Sequence, residues 1–260
     1  MGIRYYNSSL PLTFLLNRSI SIIIPAYNEQ TRLPDTLRRV TDYLESTTWE
    51  FHEILVVDDG SKDDTFAVAE EFAKTHCHVR VLRNPGNRGK GFSVRHGMLE
   101  AHGEWRLFSD ADLSTPIEEL QKLWCVIARE HYDIAIGSRA LDRSLIGVRQ
   151  PGYREAFGRF FNGVMRLATG LNLSDTQCGF KLFRGDAAGD IFAAQTLERF
   201  GFDAEVLFIA SRRGYRIAEV PVRWNHVEGS KVSLMTGLHA FVEVAQIRVN
   251  SMLGKYRQKS

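Results

Sequence analysis

The sequence predicts an α/β fold, a mostly parallel sheet flanked by helices on both faces. Two observations predict it. Short apolar, β-branched runs alternate with amphipathic helical stretches from residue 19 to residue 138, and two acidic clusters, VVDDGSKDDT at 56–65 and FSDADLSTP at 108–116, each stand where such a run ends. Alternation of this kind signals right-handed crossovers and a sheet covered by helices. Ligands of open α/β sheets collect beyond the carboxyl ends of the strands, so carboxylates placed there point to one shared polar site.

SISIII at 19–24 is β-branched and apolar, and Pro25 ends it as a paired strand. Thr31 to Leu44 follows with Leu33, Leu37, Val40 and Leu44 at helical spacing. The pattern repeats as EILVVD at 53–58, a helix over 64–75, HVRVLR at 78–83, a helix over 91–101, EWRLFSD at 104–110, a helix over 117–129 and YDIAIGS at 132–138. After Arg139 the regularity fails. LDRSLIGVRQPGY at 141–153 carries turn formers and no clear period, which fits a lid over a site and equally a plain connection. Beyond it the sequence predicts a helix over 155–168, a strand over 179–183, a helix over 203–213 and a strand over 217–222.

These elements make one domain over 19–233, preceded by a lead-in at 1–18 and followed by a C-terminal amphipathic helix with a basic tail at 234–260. Leu238, Phe241, Val242, Ala245, Val249 and Met252 are spaced for one apolar helix face, ahead of Lys255, Arg257 and Lys259. Such a helix suits either packing on the domain or lying in the interface of an anionic leaflet.

Composition excludes several classes. A net charge of +2 on 260 residues, with no long basic stripe, argues against a nucleic-acid partner. Cys77, Cys125 and Cys178 are odd in number and lack CxxC spacing, so neither a disulfide framework nor a zinc site is expected, and a reducing cytoplasm is. The apolar run Leu10 to Leu16 contains Pro11 and Thr13 and is too short to span a bilayer. The expected location is cytoplasmic, with membrane contact limited to the periphery of the cytoplasmic face.

Four strand ends deliver polar groups: Tyr27, Asn28 and Glu29; Asp58, Asp59, Gly60 and Ser61; the stretch Asn84 to Gly91 with Asn87, Arg88 and Lys90; and Asp110 and Asp112 around Ala111. Any one of them reads as a solvated turn, whereas all at one sheet edge read as a ligand site. Asp110 and Asp112, separated by the small Ala111, can aim at one Mg2+ or Mn2+ that takes its remaining ligands from water and substrate phosphates. Capping of the next helix is expected to fall to Ser114 or Thr115. The glycine-rich NPGNRGKGFSVRHGM at 84–98 lacks Walker spacing; its backbone N–H groups suit a nucleotide, with Arg88 or Lys90 adding charge. Cys178 reads as a small buried hydrophobe.

Taken in order, IIIPAYNEQTRLPDTL, VVDDGSKDDT, NRGKGFSVRHGM, SDADLSTP, GSR and DTQCGFKLF resemble the family 2 glycosyltransferases of the GT-A fold. The resemblance runs over roughly residues 21–233 and is closest to the dolichyl-phosphate β-glucosyltransferase branch. It implies a metal-dependent, inverting transfer of glucose or a related hexose from a nucleotide-sugar donor, UDP-glucose, to a polyprenyl-phosphate lipid. It further implies that Pro25, Ala26, Tyr27 and Glu29 cradle uracil and ribose together with Asp59. Asp110 and Asp112 would hold the metal, Arg139 would meet the phosphates, and Ser230 and Lys231 of EGSK would close over them. Asp175 would act as a base or orient the sugar. A lipid phosphate is already ionised and needs no base, unlike a hydroxyl acceptor. Three alternatives stay open: GDP-mannose as donor, a saccharide or protein hydroxyl as acceptor with Asp175 as essential base, and a nucleotide-sugar-binding protein without turnover.

Overall fold

The apolar runs of the N-terminal half become strands β1 (Ser19–Ala26), β2 (Phe51–Asp58), β3 (Val79–Arg83), β4 (Trp105–Ser109) and β5 (Ile134–Ser138), and two more, β6 (Phe180–Arg184) and β7 (Ile217–Pro221), follow. The computed structural model describes residues 19–148, 163, 166, 169–227 and 234–257, with backbone alone over 234–241 and at 244. One sheet runs in the order β3-β2-β1-β4-β6-β5-β7. β1 pairs in parallel with β2 on one side and β4 on the other. The chain therefore builds outward through β2 and β3, then returns across β1 to lay down β4. That reversal opens a crevice beyond the carboxyl ends of β1, β2 and β4, the place where such sheets bind ligands.

Successive β1 side chains face opposite sides. Ile22 and Ile24 join one core with Leu33, Leu37, Val40 and Leu44 of α1 (Leu33–Glu45), Ala69 of α2 (Thr65–Thr75) and Leu123 and Ile127 of α4 (Leu120–Glu130). Ile23 joins the other core with Val94 and Met98 of α3 (Lys90–Glu100) and with α5 (Gly185–Ala194) and α6 (Phe202–Arg212). The four apolar residues of α1 are at most 1% exposed, each contributing about 1.5–3 kcal/mol by burial. Thus the 3.6-residue period read from the sequence is the packing face.

Several features go beyond what the sequence reading specified. β5 does not continue the parallel series beside β4, because β6 inserts between them antiparallel to both. Helix α5 was not expected; its period is carried by Ala187, Ala188, Ile191 and Phe192 among small residues. The described part of the 141–153 connection is paired: Ile146 bridges Trp224, and His226 donates its N–H to the Val148 carbonyl (3.1 Å). The final helix, α7 (Leu234–Met252), turns its expected apolar face outward at Val242, Val249 and Met252, while Ile247 and Asn250 are buried. The lead-in at 1–18, residues 149–153, nearly all of the helix expected over 155–168, and the EGSK segment with Ser230 and Lys231 lie outside the described residues.

Candidate active site

The first two strand ends are stitched together. Beyond β1, Asn28 adopts φ 53°, a left-handed conformation that asparagine tolerates, and donates its N–H to Ser61 Oγ at 2.9 Å. Its side-chain oxygen accepts from Lys62 N at 2.8 Å, and Glu29 N donates to Thr65 Oγ1 at 2.7 Å. Glu29 also pairs with Arg32 at 2.7 Å.

Asp58 and Asp59 divide their work. Asp58, wholly buried, accepts from Ser61 N at 3.2 Å and pairs with Arg83 at 3.4 Å, so it shapes its own turn. Asp59 reaches the glycine-rich loop, accepting from Asn84 Nδ2 (2.8 Å), Arg88 N (3.0 Å) and Gly89 N (2.8 Å). Gly60 lies against that loop at φ 70°, where a Cβ would come within 2.6 Å of Gly86 backbone atoms. Only glycine meets both demands. The Arg88 guanidinium pairs with Glu198 and lies 4.3 Å over the Phe92 ring, so its charge is already answered.

After β4 the chain makes a tight turn, closed by Leu113 N donating to the Asp110 carbonyl at 3.1 Å. Leu113 is held at φ 46°, a conformation that costs about 1–2 kcal/mol for such a residue. Its burial, the Ser114 N bond to Asp112 Oδ1 (2.9 Å) and the Thr36 Oγ1 bond to the Ala111 carbonyl (2.6 Å) hold it there. Asp112 thus closes this turn, and the helical segment that follows opens at Pro116 without a side-chain cap, so neither Ser114 nor Thr115 caps it as expected. Its other oxygen takes no hydrogen bond among the described residues.

Asp110 Oδ1 pairs with Lys90 Nζ at 2.6 Å. Burial opposes the Lys90 charge, but the Asp110 and Asp203 carboxylates outweigh it and hold its pKa above the usual lysine value. Beneath them Lys181, fully buried, pairs with Asp203 and donates to the Cys178 carbonyl at 2.6 Å. Burial pushes the Cys178 thiol up to about 11, with Asp175 adding to the shift, which leaves an inert side chain. Gly179 lies directly against Asp110: a Cβ built there would stand 2.7 Å from Oδ1 and closer still to Cγ and Oδ2.

The crevice is an open cavity of ≈ 310 Å³. Pro25, Ala26, Tyr27, Glu29, Asp59, Asn87, Lys90, Asp110, Ala111 and Asp112 line it, joined by Arg32, Gly89, Ser93, Arg199 and Phe200. Asp58, Gly60, Ser61 and Arg88 are not among its lining residues. Arg199 and Phe200 escaped the sequence reading because the stretch QTLERFG carries no motif. The Arg32 signal was available, three residues after Glu29 at ion-pair spacing.

Arg139 and Asp175 stand outside the lining set as a bidentate pair, with Arg139 Nε and Nη2 at 2.7 and 2.8 Å from the two carboxylate oxygens. Arg139 N and Gln177 N bond the same carboxylate (3.0 and 3.1 Å), and Glu219 accepts from Ser174 N and Asp175 N. Burial works against the Asp175 charge, but Arg139 outweighs it and holds the carboxyl below its usual range. A carboxylate so engaged positions Arg139 and is a poor base.

The residues present fit a divalent cation. Asp110 and Asp112 offer hard oxygens from one turn, and no group of three or more His, Cys, Asp or Glu suited to a metal occurs among the described residues. Such a sparse set suits Mg2+ or Mn2+, which keep waters and share phosphate ligands.

Comparison with known proteins bears on the family and the fold. Residues 21–192 match the model of Glycosyl transferase family 2. The chain is 39% identical over 251 residues to the dolichyl-phosphate beta-glucosyltransferase of Drosophila melanogaster, covering 92% of this chain and 77% of that one. It is 35% identical to the human protein of the same name, over 92% and 78% of the two chains. Among solved structures, mannosyl-3-phosphoglycerate synthase from Rubrobacter xylanophilus superposes with a TM-score of 0.68 at 15% identity, covering 95% of this chain and 79% of that one. Glucosyl-3-phosphoglycerate synthase from Mycobacterium tuberculosis, in complex with UDP, gives 0.65 at 17% identity over 94% and 86%. These structural likenesses carry the fold, and the sequence matches carry the family. The chain belongs to glycosyl transferase family 2, in the group of the dolichyl-phosphate β-glucosyltransferases, and has their GT-A fold.

Proposed function

We propose that this protein transfers glucose from UDP-glucose to a polyprenyl phosphate of the dolichyl type, inverting the anomeric centre. The observation that carries the reading is the Asp110–Asp112 turn, seated on Gly179 and braced by Lys90 at the mouth of a cavity built from β1, β2 and β4. An oxygen of the lipid phosphate attacks the anomeric carbon as the bond to the β-phosphate oxygen breaks, and UDP leaves with the electron pair. The acceptor is already ionised at neutral pH, so no proton has to be removed. Engagement of Asp175 by Arg139 supports an acceptor of this kind over a hydroxyl.

The residues have distinct tasks in this reading. Asp59 holds the glycine-rich loop against the nucleotide, Tyr27, Arg32, Arg199 and Phe200 surround uridine, and Arg139, oriented by Asp175, meets phosphate oxygens. Asp110 and Asp112 would hold the Mg2+ or Mn2+, which when bound neutralises charge on the diphosphate leaving group. Lys90 adds positive charge beside it, in a partly dehydrated site where charge stabilisation is effective. The lipid acceptor requires the site to work at a membrane surface. Asp112→Asn keeps the turn cap but weakens the oxygen set. The reading expects it to retain the fold and UDP binding without metal while losing metal-dependent transfer; full transfer by a well-folded variant removes the assignment.

A further inference from the structure

From Val242 onward, where its side chains are described, helix α7 turns polar groups inward beside the buried Ile247 and apolar groups outward. Its inward side carries polar anchors: Glu243 Oε2 accepts from Gly201 N at 2.7 Å and Asn250 Nδ2 donates to Thr196 Oγ1 at 2.9 Å. Past the helix end, Gly254 at φ 74° turns the chain back and Tyr256 OH donates to Glu205 at 2.6 Å. The outward side is apolar, with Val242 66% exposed, Val249 47%, Met252 79% and Leu253 68%. Together with exposed Ala245 these positions follow the i, i+3, i+7 stripe of one helix face. A surface helix normally shows the reverse, and half of the large apolar side chains exposed among the described residues gather here.

Charge narrows what covers this stripe. Between 242 and 257 the exposed charged residues are Arg248, Lys255 and Arg257, all basic, while the one acid, Glu243, is turned to Gly201. An apolar stripe flanked by basic groups matches an anionic bilayer surface. Position adds to the match: Gly201, gripped by Glu243, follows Arg199 and Phe200 at the rim of the cavity. No described helix is long and apolar enough to cross a membrane.

We propose that the outward face of α7 with its basic C-terminal turn docks this protein on an anionic lipid surface and holds the rim of the cavity at the headgroup level. The inference deepens the lipid-acceptor reading and rests on it for its purpose, although the docking itself can be measured without turnover. Apolar side chains enter the headgroup and acyl boundary, and Arg248, Lys255 and Arg257 stay at phosphate depth.

The test is co-sedimentation of the full chain with vesicles of phosphatidylcholine alone or mixed with phosphatidylglycerol. The parent protein is expected to pellet with the mixed vesicles, and Val249→Asp with Met252→Asp to reduce its partitioning about tenfold or more. Lys255→Glu with Arg257→Glu should reduce it on mixed vesicles only. Both pairs are exposed, so melting temperature and UDP binding should not change. Transfer to a long polyprenyl phosphate embedded in vesicles should fall with partitioning, and transfer to a short, detergent-dispersed acceptor should persist. Equal pelleting of parent and variants, or no pelleting of the parent, overturns the proposal. So does a dimer in light scattering that the aspartate pair dissolves, since the stripe would then join two copies. Vesicle binding with no transfer to either acceptor would instead overturn the transferase reading and leave the docking in place.

Discussion

Replacing Gly179 by alanine is the smallest change that strikes the site at its seat. The glycine does not have a positive φ, so the effect is steric: the added methyl would stand 2.7 Å from Asp110 Oδ1 and nearer still to Cγ and Oδ2. Main chain cannot retreat easily, because Asp110 N donates to the Gly179 carbonyl at 3.2 Å and β6 is clamped between β4 and β5. The short Asp110 side chain, 34% exposed, is the part that yields. Swinging it outward sacrifices the 2.6 Å contact with Lys90, a partly exposed pair worth about 1 kcal/mol at most. Stability therefore falls by about 1 kcal/mol, while a carboxylate displaced by about 1 Å lowers turnover about a hundredfold. Thermal melting and transfer from UDP-glucose to a detergent-dispersed polyprenyl phosphate measure the two effects separately. Full activity of Gly179→Ala at unchanged metal demand would refute the role given to the Asp110 seat; a large loss of stability would refute the reasoning about which part yields.

Other consequences follow from the same contacts. Asp175→Asn should lower kcat about tenfold to a hundredfold by releasing Arg139, with the pH dependence of kcat unmoved, whereas loss of an acid limb would identify Asp175 as a proton acceptor. Arg199→Ala should raise KM for the donor about tenfold at constant kcat, read from initial rates, since Arg199 lines the cavity in which we propose the donor sits. His78 is held below its ordinary value of 6.5 by burial first and by His52 and His76 next. Its unfolded form takes up the proton more readily, so its share of stability is complete above pH 6.5 and is lost as the pH falls through the folded value. Urea midpoints at neutral and mildly acidic pH should show that loss in the parent and a flatter profile in His78→Phe.

How much of this was open to a reading of residues depends on how local each cause is. β1, β2 and β4 announce themselves because a central strand must be apolar on both faces, and SISIII and EILVVD have no other use. The direction of β6 has no local cause: nothing in FKLFR itself sets its antiparallel pairing with β4 and β5. In α5, glycine and alanine dilute the period that marks α1. Which way α7 faces was left open for a related reason, since Glu243, Asn250 and Tyr256 turn inward toward partners at 196–205 that no periodicity links to them. At the site, the carboxylates were readable as strand-end residues. Spacing alone did not separate Asp58 from Asp59, and only the family resemblance singled out Asp59; their partners place one on its own turn and the other on the glycine-rich loop.

The central claim is most directly tested by following radiolabel from UDP-glucose, GDP-mannose and UDP-N-acetylglucosamine into a mixed polyprenyl-phosphate extract, with Mg2+ or Mn2+ and with a chelator. The account predicts labelled lipid from UDP-glucose alone, abolished by the chelator. Labelling from GDP-mannose in its place, or no labelled lipid while the protein still binds UDP-glucose, would contradict it.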